Sequence, residues 1–322
     1  MRFNVQKNNI SPMVEAGILS SIAVLFAVIM LYIPVLGIFL NMLWPVPLIL
    51  LGVRHGLKWS VMALVTSGLL IAIIVSPLQS LLQVVGLGFI GLTLGYCLYK
   101  KKKPTTSILY GSLASLVSKI LVLLISFFIM GANPLSIDPQ VMQVVADKVI
   151  GWLARLGMPD FVLEQYKSVI WMMLDLMVII IPTGILMASV FDTFINFVAT
   201  RAILKRLGTT IPGIPAFKNW TFPDVLLLLF GLSLLLLQYT QDNKESILYT
   251  IAVNGYFFLS VPLMFQGIAV SWFIIEEKGW PGFLKGILVG SLFITVIVPY
   301  MIIILGMFDY IMDFRKIRPA RK

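Results

Sequence analysis

The chain holds one cysteine, Cys97, and one histidine, His55, among its 322 residues. A single thiol cannot close an intramolecular disulfide, and one thiol with one imidazole cannot supply a Cys/His metal cluster or a paired-histidine zinc-protease helix. Charge is scarce as well. Only 12% of the residues are Asp, Glu, Lys or Arg, against about 25% in ordinary soluble domains. A glycine-rich phosphate loop, a serine nucleophile arrangement and a glycosidase-like pair of exposed carboxylates are all missing. The sequence therefore reads as non-enzymatic, with no cofactor and no metal. Bases outnumber acids 24 to 14 for a net charge of +10, yet no basic stripe is interleaved with exposed aromatics, which argues against a nucleic-acid partner.

What the sequence has in abundance is long apolar runs. Apolar residues make up 59% of the chain and the mean hydropathy is +1.00. The runs occupy approximately 13–33, 35–51, 59–76, 79–98, 106–131, 168–199, 222–240, 247–275 and 281–308. Such lengths match the ~20 residues needed to cross ~30 Å of hydrocarbon. The expected fold is an all-α polytopic transmembrane helix bundle of about 8–10 spans, with the lipid bilayer as its first partner. The run behind Arg2 and Lys7 exceeds a signal-peptide core and is followed by no small-x-small cleavage site, so it reads as a retained first span. The run 35–51 is short and follows Pro34 with Pro45 and Pro47, which also allows a re-entrant segment.

Positive charge sets the expected orientation. Lys100, Lys101, Lys102 and Lys103 form the strongest topological signal and belong in the cytoplasm. Arg54, Lys58, Arg201, Lys205, Arg206, Lys218 and the N-terminus then fall on the same side. The stretch 132–167 falls outside, where its acids outnumber its bases. Within it, Val141, Val145, Val149, Trp152 and Leu156 recur at helical spacing between Pro139 and Gly157, the pattern of an amphipathic helix. It either rests on the membrane surface or forms a lid over an outward-facing cavity. A second short helix is expected over 159–167. Nine spans would carry Arg315, Lys316, Arg318, Arg321 and Lys322 outside, against the positive-inside preference. A break at Pro299 that turns 282–298 and 299–313 into a hairpin restores a cytoplasmic C-terminus. A bacterial-type cytoplasmic membrane with both chain ends inside is the expected location.

Ionisable groups within spans are the first functional candidates, because each is expensive there. Lys119 lies mid-run, ~20 Å from the inner end and too deep to snorkel out. Ser112, Ser115 and Ser118 share its segment. Asp175 is a conceivable partner on an antiparallel neighbour, although their depths differ by more than ~10 Å. Asp192, ~25 Å from Asp175 along a continuous helix, cannot share a proton with it. Lys119, Asp175, Ser115 and Asn254 are therefore the substrate-cavity candidates, and a small molecule is the implied ligand. A structural ion pair at Lys119, helix-end positions for the two aspartates and interhelical hydrogen bonds at Asn254 are the alternatives. Arg54 and His55 read as a topological anchor. On the first run, small residues at spacing four, Ala16 with Ser20 and Ala23 with Ala27, form a face where another helix can approach closely, either from this chain or from a partner membrane protein.

The segments WPVPLILLGVRHGLKWSV (Trp44–Val61), FQGIAVSWFIIEEKG (Phe265–Gly279) and GMFDYIMDFRK (Gly306–Lys316) resemble the YybS-like family of multi-pass membrane proteins (DUF2232-type), over nearly the whole chain. That family is distantly similar to the substrate-binding S components of energy-coupling-factor vitamin transporters. The resemblance implies a six-span S-component-like bundle over 1–206, carrying the insert 132–167, followed by additional spans and a basic tail over 207–322. S components lack this second part, and no residue here matches a known vitamin-binding position. The resemblance also likens Ala23-x-x-x-Ala27 to the face that meets a coupling subunit. Family members tend to be encoded beside a membrane cyclic-dinucleotide phosphodiesterase, which implies envelope or signalling physiology. Two functions follow as expectations: transporter-like binding or translocation of a small molecule, or a non-enzymatic scaffold that recruits a partner protein through the first span and the basic loops.

Overall fold

A computed structural model describes residues 11–131 and 138–317; Arg2, Lys7, residues 132–137 and Arg318, Arg321 and Lys322 lie outside the described residues. Among the described residues the regular elements are helices. Pro12, Pro34, Pro45, Pro77, Pro104 and Pro139 each open one. At a first helical position proline gives up an amide that has no partner there anyway, and its fixed φ suits the helix. The residues that would break a span in its middle therefore mark where spans begin.

Two compact units are formed. The first, Met1–Pro134 with Ile185–Ile214, contains α1 (Pro12–Tyr32), α2 (Pro34–Met42), α3 (Pro45–His55), α4 (Leu57–Ile74), α5 (Pro77–Tyr99), α6 (Pro104–Met130) and all but the first turn of α9 (Ile181–Arg206). Helices α2 and α3 join at Leu43–Trp44 into one apolar rod, Val35–His55. The rod starts where α1 stops, and its far end returns to Glu15 in the first turn of α1. It runs the length of α1 and is not re-entrant. With it, this unit holds six helices long and apolar enough to cross a membrane.

Small residues let these helices close. Gly52 of α3 faces Gly95 of α5 so tightly that a Cβ on Gly52 would lie 2.9 Å from the Gly95 Cα. The face formed by Ala16, Ser20, Ala23 and Ala27 is buried within the unit, against α3 and α4. The Trp44 indole donates to the Ala23 carbonyl at 3.0 Å, and the Ser20 hydroxyl to that of Ala63 at 3.4 Å. The neighbours that occupy this face thus come from the chain itself.

The second unit, Leu135–Gly184 with Pro215–Lys322, contains α7 (Pro139–Arg155), α8 (Asp160–Ile179), α10 (Val225–Thr240), α11 (Ile247–Glu277), α12 (Phe283–Ile294) and α13 (Ile297–Met312). The sequence suggested a cut after Arg206, but α7 and α8 group with the C-terminal helices, because α7 packs on α8 and α8 on α11. The Asp138 carboxylate caps α7, accepting from the Gln140 amide at 2.8 Å. Met142 and Ala146 form the buried side of α7, while Val141, Val145, Trp152 and Leu156 stay exposed. The short helix expected over 159–167 continues to Ile179. The run 168–199 is accordingly two helices. Pro182 stands in the first turn of α9, where proline is tolerated, and an unbroken helix would set its ring against a preceding carbonyl.

The last run also divides. Helices α12 and α13 are bent by 119° at Thr295–Val296. Pro299 falls in the first turn of α13, so the expected break arrives three residues early, at the position from which proline can start a helix. Both outer ends of the pair come to one place. Glu276 accepts from Lys218 and from Lys285 near the start of α12, each at 2.6 Å, and Arg315 beyond α13 donates to the Lys218 and Trp220 carbonyls, each at 2.8 Å. The pair folds back on itself. Among the described residues seven helices qualify as spans by length and composition, or eight with the bent pair counted as one. That is fewer than nine, because the last run folds back and α10, with 16 residues, reaches only ~24 Å.

Inside the second unit α11 crosses α13 through glycine. A Cβ on Gly267 would lie 1.9 Å from the Ile302 carbonyl oxygen, and one on Gly306 would lie 2.1 Å from that of Leu263. Gly267→Ala or Gly306→Ala should cost about 1–3 kcal/mol or more through overpacking and lower the melting temperature of the detergent-purified chain. Gly286→Ala, with nothing within 4 Å of its Cβ, should be neutral or stabilising by up to about 1 kcal/mol. Equal melting of all three variants would contradict the crossing.

Candidate functional site

In the first unit α6 and α9 approach at Gly111, where an added Cβ would lie 2.5 Å from the Thr193 methyl. Lys119 stands about two turns further along α6. Lysine side chains on a helix lean toward its N-terminus, and the Lys119 ammonium reaches Ser115 Oγ at 2.8 Å and Asp192 Oδ2 at 2.5 Å. Ser115 is ~16 Å along the helix axis from Pro104, about half of a ~30 Å hydrocarbon layer. The pair is only partly covered at this depth: the Lys119 and Asp192 side chains are 23% and 18% exposed.

Polar residues continue along both helices. Ser112, Ser115 and Ser118 precede Lys119 on α6, and Ser189, Thr193, Asn196 and Thr200 flank Asp192 on α9. Ser189 and Thr193 donate to carbonyls one turn earlier, and the Asn196 amide donates to the Met42 and Asp192 carbonyls. Four buried oxygens, Ser112 Oγ, Ser118 Oγ, Thr200 Oγ1 and Asn196 Oδ1, make no hydrogen bond within the protein. A cation, a carboxylate, hydroxyls and an amide carbonyl thus follow one another along these two helices.

Of the residues singled out from the sequence, Lys119 and Ser115 meet directly, and their carboxylate partner is Asp192 in place of Asp175. Asp192 holds this position because α9 runs beside α6 at Thr193; Asp175 is exposed on α8, in the other unit. Asn254 serves that other unit. Its amide donates to the Ile179 and Thr250 carbonyls and accepts from the Thr183 amide and hydroxyl, all within 2.8–2.9 Å, which ties α11 to the end of α8 and uses the whole side chain.

Two polar clusters escaped the sequence reading. Glu15, 7% exposed, receives Arg54 and His55 on its two oxygens, the latter at 2.7 Å, so these two residues also form a part-buried triad that joins α1 to α3. The signal was Glu15 itself, an acid inside the first apolar run. In the second unit Asp309 Oδ2 accepts from Arg315 at 2.7 Å and from Gln266 at 3.0 Å, and Gln266 accepts from the Phe222 amide at 3.2 Å. Arg315 is thus part of the core, and the segments Phe265–Gly279 and Gly306–Lys316 meet there. Asp313, with φ 43°, ends α13 in the left-handed region and turns the chain so that Arg315 can fold back.

Apolar helices of spanning length whose charges are closed by partners from the same unit define a polytopic helical membrane protein. The chain belongs to the family described as "Predicted membrane protein (DUF2232)", whose profile matches residues 21–310. It is similar to a Bacillus subtilis (strain 168) protein with the printed name "Uncharacterized protein YybS", 27% identical over 298 residues that cover 92% of this chain and 95% of the relative. No solved structure matches.

Removing one member of a buried ion pair strands the other and costs about 3–5 kcal/mol; the partial exposure of this pair reduces that to about 1–3 kcal/mol. Lys119→Met alone should therefore lower the melting temperature, and Lys119→Met with Asp192→Asn should recover most of the loss. A double variant as unstable as the sum of the single ones would mean that the two side chains act independently.

Proposed function

We propose that the protein is a non-enzymatic, transporter-like membrane protein that binds a small polar molecule between α6 and α9 of its six-span unit. The observation that carries this reading is the Lys119–Asp192 pair, ~16 Å along α6 and partly uncovered. Acyl chains cannot solvate an exposed ion pair, so the uncovered side calls for water or a solute. The free oxygens of Ser112, Ser118, Thr200 and Asn196 support the same reading, since an unmade bond on a buried polar group costs about 1–3 kcal/mol and a bound solute relieves it. Six candidate spans in this unit agree with the likeness to S components. The scaffold alternative has less support, because Ala16, Ser20, Ala23 and Ala27 are already covered by α3 and α4. The exposed apolar row of α7 suits a helix at the membrane surface.

The expected small molecule is sought by mass spectrometry of the chain purified from its own membranes. It should be depleted at least tenfold in Lys119→Met and Asp192→Asn relative to wild type and retained in Gly286→Ala. A wild-type chain that carries no more of any small molecule than the double variant would overturn the proposal.

In this reading the protein lies in a cytoplasmic membrane with both chain ends inside. Glu15, Arg54 and, through the Gly56–Tyr99 contact, Lys100 share one end of the first unit, and Lys218, Lys285 and Arg315 share one end of the second. A fluorescent protein fused after Lys322 should fluoresce, and alkaline phosphatase fused there should be inactive. The opposite pattern would place the tail outside.

A further inference from the structure

The lysine run that sets the orientation also lines a groove. Between the end of α5 and the start of α6 lies a cavity of about 640 Å³, bounded by Thr93, Tyr96, Cys97, Lys100, Lys102 and Tyr110, with Ala114 at its floor. Thr93, Tyr96, Cys97 and Lys100 recur at i, i+3, i+4 and i+7, so they form one stripe of α5; Tyr110 and Ala114 face them from α6 at i and i+4. Lys100 and Lys102 are exposed, as are the two tyrosines, at 42% for Tyr96 and 45% for Tyr110. The Lys100 ammonium stands 5.8 Å from the centre of the Tyr96 ring.

We propose that this groove binds the phosphate of an anionic phospholipid, with Lys100 and Lys102 on the headgroup and Tyr96 and Tyr110 beside it. Charge complementarity selects an anion, because two ammonium groups face the groove and no carboxylate lines it. Position selects a lipid over a free phosphate. The groove sits where the basic loop meets the apolar body of the helices, the depth at which headgroups lie and tyrosine rings are favoured. Its two stripes continue into exposed apolar side chains, Phe89 one turn before Thr93 on α5 and Val117 just beyond Ala114 on α6, and these offer a track for an acyl chain. A topological signal requires only that the lysines stay in the cytoplasm; it gives no reason for two of them to share a groove with two tyrosines.

Native mass spectrometry of the full chain in detergent tests this with three probes: phosphatidylglycerol, phosphatidylcholine and the soluble headgroup analogue glycerol phosphate. Phosphatidylglycerol should be retained at least tenfold more than phosphatidylcholine, and Lys100→Gln with Lys102→Gln should remove that preference. Lys100→Arg with Lys102→Arg should keep it, which separates loss of charge from loss of fold. Lys101→Gln with Lys103→Gln, which removes the same charge from the same loop, should leave it unchanged. Equal retention of the two lipids, or an equal loss in the two Gln pairs, would overturn the site. Glycerol phosphate that displaces the lipid at equal concentration would show a free-anion site in place of a lipid site.

Discussion

Hydrocarbon offers no hydrogen-bond partner, so each polar group on a span must find one within the chain. This constraint explains why many side-chain bonds of the first unit run to backbone carbonyls. The Ser20 hydroxyl and Trp44 indole donate across to Ala63 and Ala23, and Ser60 and Ser80 donate to Leu48 and Gly68. Each bond contributes only about 0.6–2 kcal/mol, less than the penalty of leaving the group unpaired. Their effect is to fix which face of a helix turns inward, and that rotation then decides which charges can meet.

The charged clusters differ in depth and cover. Glu15 with Arg54 and His55 lies at helix ends and is partly buried, and Asp309 in the last turn of α13 meets Arg315 just beyond it, both buried; each cluster fastens one chain segment to another. Lys119 with Asp192 lies deep and partly open. A charge closed by partners at a helix end acts as a fastener, whereas a partly open ion pair at mid-depth calls for a further partner. Position well inside a span, more than cover or the presence of an ion pair, distinguishes the candidate site. Close helix contacts at Gly111, Gly267 and Gly306 set the distances that make these pairs possible, since a methyl at any of them would push the helices apart.

Apolar runs, their proline starts and the need of Lys119 for a partner were legible in the sequence, because hydropathy, a missing amide and the cost of a charge in hydrocarbon are local properties. The identity of the partner was not. Asp175 and Asp192 are both plausible by composition, and the choice depends on a helix break at Ile180 and on the register of α9 against α6. Glu15 was visible as an acid in an apolar run, but its meeting with Arg54 and His55 requires that α2 and α3 act as one rod. The tail charges were legible as a contradiction in the span count, and the break they called for in the last run is met by the 119° bend at Thr295–Val296.

By itself, then, the sequence determined that the protein is a helical membrane protein, where most of its helices start, and which charges would be costly. Tertiary structure alone decided that α7 and α8 group with the C-terminal helices, that Arg315 is a core residue, and that the small-residue face of α1 is filled from within. The physical reason is that hydropathy and backbone preference act over one or two turns. Pairing and burial depend on how helices distant in the chain are rotated and staggered against one another.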